Sequence, residues 1–259
     1  MNQEPVEKTP RIVSLAPHIA ELVFAAGAGD YLVGVSAYSD YPAEVQALPV
    51  VSDGFSLNVE ALLEVRPTII LAWQGGGQSR MVALAESLGI PLVRVPGERV
   101  EDIASALRQI GRIAGTSSTA EAAAQAFERA LRELEPAATS VNVFYQIGQQ
   151  PLYTVGGRHF ISDLITRCGG RNVFEDLTEA APAVSLEAVI ASDPDVILTG
   201  EAAVDDARKL WAQWPSMQAV ANDHVLGLPA DIVTRPGPRL ADGAAAVCAK
   251  LRSATEGDR

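Results

Sequence analysis

Runs of consecutive apolar residues and stretches with apolar residues three or four apart take turns along this chain. Arg11–Pro17 (RIVSLAP), Tyr31–Ser36 (YLVGVS), Thr68–Ala72 and Pro91–Val95 are short and almost wholly apolar, the pattern of strands buried on both faces. Ile19–Ala28, Ser79–Leu88 and Val100–Ile113 fall between and after them and read as helices, the last with Ile103, Leu107 and Ile110 on one stripe. Gly27 and Gly29 close the first of these helices and Gly115 closes the last. This alternation of strand and helix before residue 116 implies a mostly parallel sheet covered on both faces.

Ser117–Glu135 is the longest uninterrupted run of good helix formers in the chain. Ala, Glu, Gln, Arg and Leu fill it, Ser117 or Ser118 can cap its start, and Pro136 stops it. A helix of about 19 residues reaches roughly 28 Å, which suits a strut between two lobes as well as an ordinary surface helix. A repeat on either side favours the strut. Val59–Leu71 (VEALLEVRPTIIL) and Leu186–Leu198 (LEAVIASDPDVIL) each read as a short helix with an acid near its start, a proline break and a buried strand. Glu60 stands seven residues before Pro67, and Glu187 stands seven before Pro194.

Beyond the strut, Val141–Ile147 opens a second series. Gly148–Thr154 reads as a loop or hairpin, Gly156–Ile161 begins a helix that contains Cys168, and Gly169 and Gly170 terminate it. Leu177–Val184 is rich in Ala and Pro and reads as irregular. Asp195–Thr199 is a strand, Asp205–Gln218 a helix with Trp211 and Trp214 as core residues, and Val225–Leu228 the last strand before the closing helix Leu240–Leu251. The pattern therefore predicts an α/β protein of two Rossmann-like lobes with central, mostly parallel sheets, joined by one long rigid α-helix. Residues 10–115 form the N-terminal lobe, 116–137 the linking helix and 138–259 the C-terminal lobe.

Composition narrows the function. The 259 residues are 48% hydrophobic, enough to bury a full core. A net charge of −12 with no basic cluster excludes a nucleic-acid partner, which would need a cationic face. No apolar run approaches the roughly 20 residues that span a bilayer, and polar Met1–Thr9 is neither an anchor nor an intact signal peptide. An exported protein would be seen here in its mature form, and the polar start could equally be a tether behind a lipidated end. Cys168 and Cys248 are either two separate buried thiols or one bridge closing a loop of about 80 residues.

Candidate chemistry gathers in loops that follow strands. Tyr38 and Tyr41 lie in the loop Ala37–Pro42, at the strand end where open α/β sheets bind ligands, in a chain with only 5% aromatics. Trp73 ends a strand before the turn Gly75–Gly76–Gly77, whose glycines lack both the P-loop and the dinucleotide spacing. Tyr153 follows the first strand of the second series, and Asp231 and Arg235 sit four apart in the Pro/Gly loop 229–239 as polar ligand contacts or an internal ion pair. Glu60 and Glu187 are either solvated helix-start residues favoured by the dipole or a matched pair for a pseudo-symmetric partner. His18, His159 and His224 do not have metal-ligand spacing, no Gly-x-Ser-x-Gly elbow occurs, and Asp40, Asp53 and Asp231 show no acid-base pairing, so no catalytic residue is expected.

The segments Arg11–Pro17, Glu21–Leu22, Phe24–Gly27, Gly34–Ser36, Tyr38–Pro42 (YSDYP) and Ala72–Trp73 with Gly75–Gly76 resemble the corrinoid carriers of the helix-linked siderophore, haem and corrinoid substrate-binding proteins of bacterial ABC importers. Cys168–Gly170, Asn172–Phe174 and Cys248 extend the resemblance over nearly the whole chain. It implies a periplasmic protein, free or lipid-tethered, that captures cobalamin or a related corrinoid between its lobes in a largely preformed cleft. The ligand contacts would be Tyr38, Trp73, Tyr153, Asp231 and Arg235, with Phe55 as a further wall. It also implies a Cys168–Cys248 disulfide, and docking of a monomer through Glu60 and Glu187 on the permease dimer. Gly54 and Ala181 depart from the pattern by standing where those carriers place tryptophans. A haem or ferric-siderophore carrier is the alternative, with His18, Tyr38 and His159 as axial candidates, and a two-lobed chelatase-like enzyme a third reading. No catalytic cofactor is expected.

Overall fold

The computed structural model describes residues 9–75 and 79–256. Most of the polar start, and Gly76, Gly77 and Gln78 of the glycine turn, lie outside the described residues.

The chain begins with β1 (Ile12–Ser14), α1 (Pro17–Ala25), β2 (Leu32–Ser36), β3 (Val50–Ser52), α2 (Val59–Glu64), β4 (Ile69–Trp73), α3 (Ser79–Ser87), β5 (Leu92–Val95) and α4 (Asp102–Ala114). The strands form one sheet in the order β3-β2-β1-β4-β5, and every pairing is parallel. Parallel neighbours need crossover connections, so all the strands point their carboxyl ends to one edge. Their apolar runs are buried as the pattern requires, with Ile12, Val13, Ile70 and Leu71 all fully inaccessible. Val13, Leu15 and Ile70 share a core with Leu62 of α2 and with Met81, Val82 and Ala85 of α3. The stripe Ile103, Leu107 and Ile110 of α4 is likewise fully buried, and α4 packs against α1.

The linking helix α5 spans Ser117–Arg132, shorter than the expected run to Glu135. Pro136 is the reason: its ring disfavours a helical Glu135 and collides with the carbonyl four residues back, which belongs to Arg132. At 16 residues the helix reaches about 24 Å. Arg108 of α4 clamps it by donating from Nε and Nη2 to Glu121 at 2.7 and 3.0 Å and from Nη1 to Glu128 at 2.7 Å. Hydrogen bonds from Arg108 and Gln125 pull the Glu121 carboxyl down to about 2. Two compact units divide within α5. One takes the described residues up to Gly97 and Glu101–Glu128, and the other takes Glu98–Val100 and the described residues from Arg129 onward.

The second unit contains β6 (Val141–Tyr145), the hairpin β7 (Gly148–Gln149) and β8 (Leu152–Tyr153), α6 (Phe160–Arg167), β9 (Gly170–Asn172), α7 (Leu186–Ser192), β10 (Val196–Gly200), α8 (Val204–Trp211), α9 (Gln218–Ala221), β11 (Val225–Leu228), α10 (Ala230–Val233) and α11 (Leu240–Glu256). Its sheet has the order β11-β10-β6-β9 and is parallel throughout. Strand β9 was not visible in the apolar pattern because Arg171 and Asn172 fill it. Asn172 is tolerated at 1% exposure because its amide donates to Val155 O at 2.8 Å and Ser162 Oγ at 2.6 Å, while its Oδ1 accepts from Phe174 N at 3.0 Å.

The expected helix 205–218 is interrupted: α8 stops at Trp211, and Pro215 precedes a separate α9. Trp211 is core as expected, fully buried, with its indole N–H donating to Gln146 Oε1 at 2.7 Å and its ring edge-on to Phe144. Trp214 is half-buried beside it. Cys168, capping the end of α6, is bonded to Cys248 of α11 with 4.6 Å between their Cα atoms. This resolves the choice between separate thiols and a bridge. Because the bond closes 80 residues of chain, reducing it in the wild-type protein is expected to lower the unfolding free energy by about 4 kcal/mol. Urea unfolding with and without reductant measures this, and coincident curves would contradict it.

Candidate functional site

In the first unit the faces of the sheet are covered, so the residues available for chemistry are those in the loops at its carboxyl edge. Tyr38, Tyr41, Phe55 and Trp73 are set there, Tyr41 at 48% exposure. Tyr38 follows β2 at φ 64°, a left-handed conformation rare for a bulky residue, and its side chain is 79% exposed. Phe55 follows the neighbouring β3 and is 93% exposed. Ala37 N–H donates to Ser52 O at 2.6 Å, which ties the two loops together at their base. Trp73 closes β4, half-buried, with its ring edge-on to His18 at 4.9 Å. The buried indole N–H of Trp73 has no hydrogen-bond partner among the described residues. Leaving such a donor unmade costs about 1–3 kcal/mol, and rings held in water forgo roughly 25 cal/mol for each Å² they could bury. The exposed Tyr38 and Phe55 rings describe a surface built to be covered.

The second unit has the same arrangement at the carboxyl edge of its own sheet. Tyr153 sits on β8, in the hairpin that follows β6, and is 39% exposed. The segment 177–184, expected to be irregular, runs beside it: Tyr153 pairs with Ala183, Thr154 N–H donates to Pro182 O, and Val184 N–H donates to Leu152 O. Glycine makes this approach possible, since a Cβ at Gly156 would run into the carbonyl oxygens of Leu177 and Glu179. Ala181 therefore lies on a backbone held against the Tyr153 hairpin. Asp231 is exposed in the first turn of α10, directly after β11, and half-buried Arg235 follows that helix.

Glu60 and Glu187 are not among these aromatic groups. Each is exposed in the first turn of a short helix with a side-chain cap. Asn58 accepts from Ala61 N–H at 3.0 Å before α2, and Ser185 accepts from Ala188 N–H at 3.2 Å before α7. Both helices are followed by a residue at positive φ directly before a proline, Arg66 at 44° and Asp193 at 40°. The sequence repeat is thus a repeat of local structure down to the cap and the stop. Its own backbone N–H and the Ser185 hydroxyl hold the Glu187 carboxyl below the usual range, so it is ionised.

The histidines sort differently from their sequence roles. His159 caps α6, its Nδ1 accepting from Ile161 N–H at 3.2 Å and its ring stacked on Phe160. A ring used this way carries its proton on Nε2 and offers no lone pair to an axial metal. His224 lies at the start of β11, at the opposite edge, with Nδ1 3.3 Å from Asp195 O. No group of three potential ligands that could hold a metal occurs among the described residues. Asp53, read from the sequence only as one acid of the edge, is engaged in its own loop. The signal for that was the Asp53-Gly54 pair, a turn dipeptide placed just after a strand.

Two α/β units, each exposing ligand-type side chains at the carboxyl edge of a parallel sheet and an acid on an equivalent helix, are the parts of a solute-binding protein. The chain belongs to the periplasmic binding protein family, whose sequence pattern matches residues 12–232. It is 35% identical over 257 residues to a vitamin B12-binding protein of Vibrio parahaemolyticus, covering 98% of this chain and 92% of that one. The crystal structure of the periplasmic vitamin B12 binding protein of Vibrio cholerae matches with a TM-score of 0.85 and 33% identity, over 95% of this chain and 98% of that one. A periplasmic haem-binding protein of Pseudomonas aeruginosa matches at a TM-score of 0.78 and 26% identity, over 94% and 93% of the two chains. No helix among the described residues is long and apolar enough to cross a membrane.

Burial drives the pKa of His159 down to about 4, so the folded protein holds it neutral where the unfolded chain, near 6.5, takes up a proton. Its contribution to stability is complete above pH 6.5 and is lost as the pH falls towards 4. Urea midpoints of wild type and His159→Asn, which keeps a capping acceptor without titrating, are expected to diverge across that window, the wild type falling more steeply with acid. Parallel curves would contradict it.

Proposed function

We propose that this chain is the substrate-binding protein of a bacterial ABC importer, that it captures a corrinoid of the cobalamin type in the periplasm, and that it delivers this ligand to the membrane permease. The observation that carries the reading is the pair of water-exposed rings Tyr38 and Phe55, set with the half-buried Trp73 on one sheet edge of a protein poor in aromatics. A corrin is a broad, flat ring system with an apolar body and an amide rim. Aromatic walls cover the body, and Asp231 and Arg235 suit rim amides. On its own sheet edge the second unit offers the exposed ring of Tyr153. The vitamin B12-binding relatives, similar over nearly their full length, support the same ligand. Gly54 and Ala181 leave that corrin with smaller neighbours than tryptophan would supply.

Glu60 and Glu187 dock one copy of the chain on a permease dimer. Two exposed acids in equivalent surroundings suit a partner that presents the same cationic site twice, with charge pairing setting register and on-rate. Haem is the competing ligand, and it requires an axial Tyr or His, a role that Tyr38 could fill and that the cap removes from His159.

Titration calorimetry with cyanocobalamin, cobinamide and haem tests the ligand. One-to-one corrinoid binding is expected, weakened about tenfold or more by Tyr38→Ala or Trp73→Ala. A shifted haem Soret band with no cobalamin retained through gel filtration would overturn the reading. For docking, Glu60→Lys with Glu187→Lys is expected to leave corrinoid binding unchanged and to abolish uptake in a reconstituted importer. Loss of binding in that variant would place the acids in the ligand site or the fold instead.

A further inference from the structure

Phe55 is the most exposed large apolar side chain among the described residues, at 93%, so packing does not orient its ring. The loop beneath is no better supported, because a cavity of about 310 Å³ lies against it, lined by Val50, Ser52, Asp53, Ser56 and Asn58. The side-chain hydrogen bonds that hold the loop are made to one carboxylate. Asp53 Oδ1 accepts from Phe55 N–H at 2.9 Å and from Ser56 N–H at 2.7 Å, and Oδ2 accepts from Ser56 Oγ at 2.8 Å. Asp53 N–H returns a bond to Ser56 O at 3.2 Å, and Ser52 bridges Leu57 below, so the turn closes on itself. Gly54 supplies the φ of 95° that this path needs, and a Cβ there would meet nothing within 4 Å.

We propose that Asp53 is a positioning residue for ligand capture: its carboxylate fixes the backbone at Phe55, so that the ring stands as a preformed wall of the corrinoid site. The proposal rests on the corrinoid reading above. Rigidity matters because an exposed ring on a loose loop must be immobilised when ligand arrives, and that cost is subtracted from affinity. The backbone N–H groups of Ser56 and Phe55, and then the Ser56 hydroxyl, hold the Asp53 carboxyl below the usual carboxylate range. It is therefore a full acceptor at neutral pH. Its function is geometric rather than electrostatic, which separates it from a residue that touches the ligand through charge.

Asp53→Asn retains an acceptor for both backbone N–H groups, whereas Asp53→Ala retains none. Calorimetry and stopped-flow dissociation with cyanocobalamin are expected to show Asp53→Ala about threefold to tenfold weaker through a faster off-rate, and Asp53→Asn within about twofold of wild type. In a Phe55→Ala background, Asp53→Ala is expected to cost nothing further, because the residue acts through that ring. Additive losses, or an Asp53→Ala protein that binds like wild type, would overturn the proposal. Nitrogen-15 relaxation of the ligand-free protein reads the same claim without cobalamin. The Phe55 amide order parameter is expected near about 0.85 in wild type and below about 0.6 in Asp53→Ala, and equal values would overturn it. Wild-type protein that ignores cobalamin would overturn the functional reading, and the relaxation result then decides the positioning claim alone.

Discussion

The all-parallel sheet is the constraint on which the rest depends. Two parallel strands cannot be joined by a tight turn, so each strand needs a crossover, and the crossovers cover the faces of the sheet. Ile12, Val13, Ile70 and Leu71 in one unit, and Val143, Phe144, Ile197 and Leu198 in the other, are fully buried as a result. What is left for recognition is the edge where the strands end. Tyr38 and Phe55 follow the paired strands β2 and β3 of the first sheet, and Trp73 closes β4 on the far side of β1. Tyr153, Asp231 and Arg235 follow strands of the second. Side chains separated by many residues thus share an edge without any local sequence motif.

The duplicated helix-to-strand unit is the other organising feature. In both copies a polar residue caps a short helix, an acid occupies its first turn, and a left-handed residue before proline ends it so that the chain can enter a strand. These local rules stabilise the unit whether or not it serves a partner. They also give Glu60 and Glu187 nearly the same surroundings, and that equivalence makes a shared docking role physically reasonable. The disulfide and the Arg108 clamp do different work, one joining α6 to α11 and the other holding α5 against α4.

Much of this was legible in the sequence because it rests on period and punctuation. Apolar runs marked β1, β2, β4 and β5 of the first sheet, the stripe Ile103, Leu107 and Ile110 marked α4, and the proline spacing marked the duplication. Features governed by particular hydrogen bonds were not legible. Strand β9 is held by Asn172 and its partners rather than by apolar residues, so no hydropathy pattern reports it. The ends of α5 and α8 were read too late because good helix formers continue past the point where Pro136 and Pro215 already act. His159 looked like a metal-ligand candidate until its Nδ1 was seen capping a helix. The aromatic edge lay in between: strand ends located it, but the left-handed Tyr38 and the self-closed turn beneath Phe55 appear only in three dimensions.

Hydrogen exchange followed by mass spectrometry, with and without saturating cyanocobalamin, probes the central claim most directly, because it reports where along the chain the ligand is felt. The account requires slowed exchange in the strand-end loops of both units, residues 37–57, 148–155 and 230–239, and little change at the opposite sheet edge around His224. Protection centred on that opposite edge, or none in these loops at saturation, would contradict it.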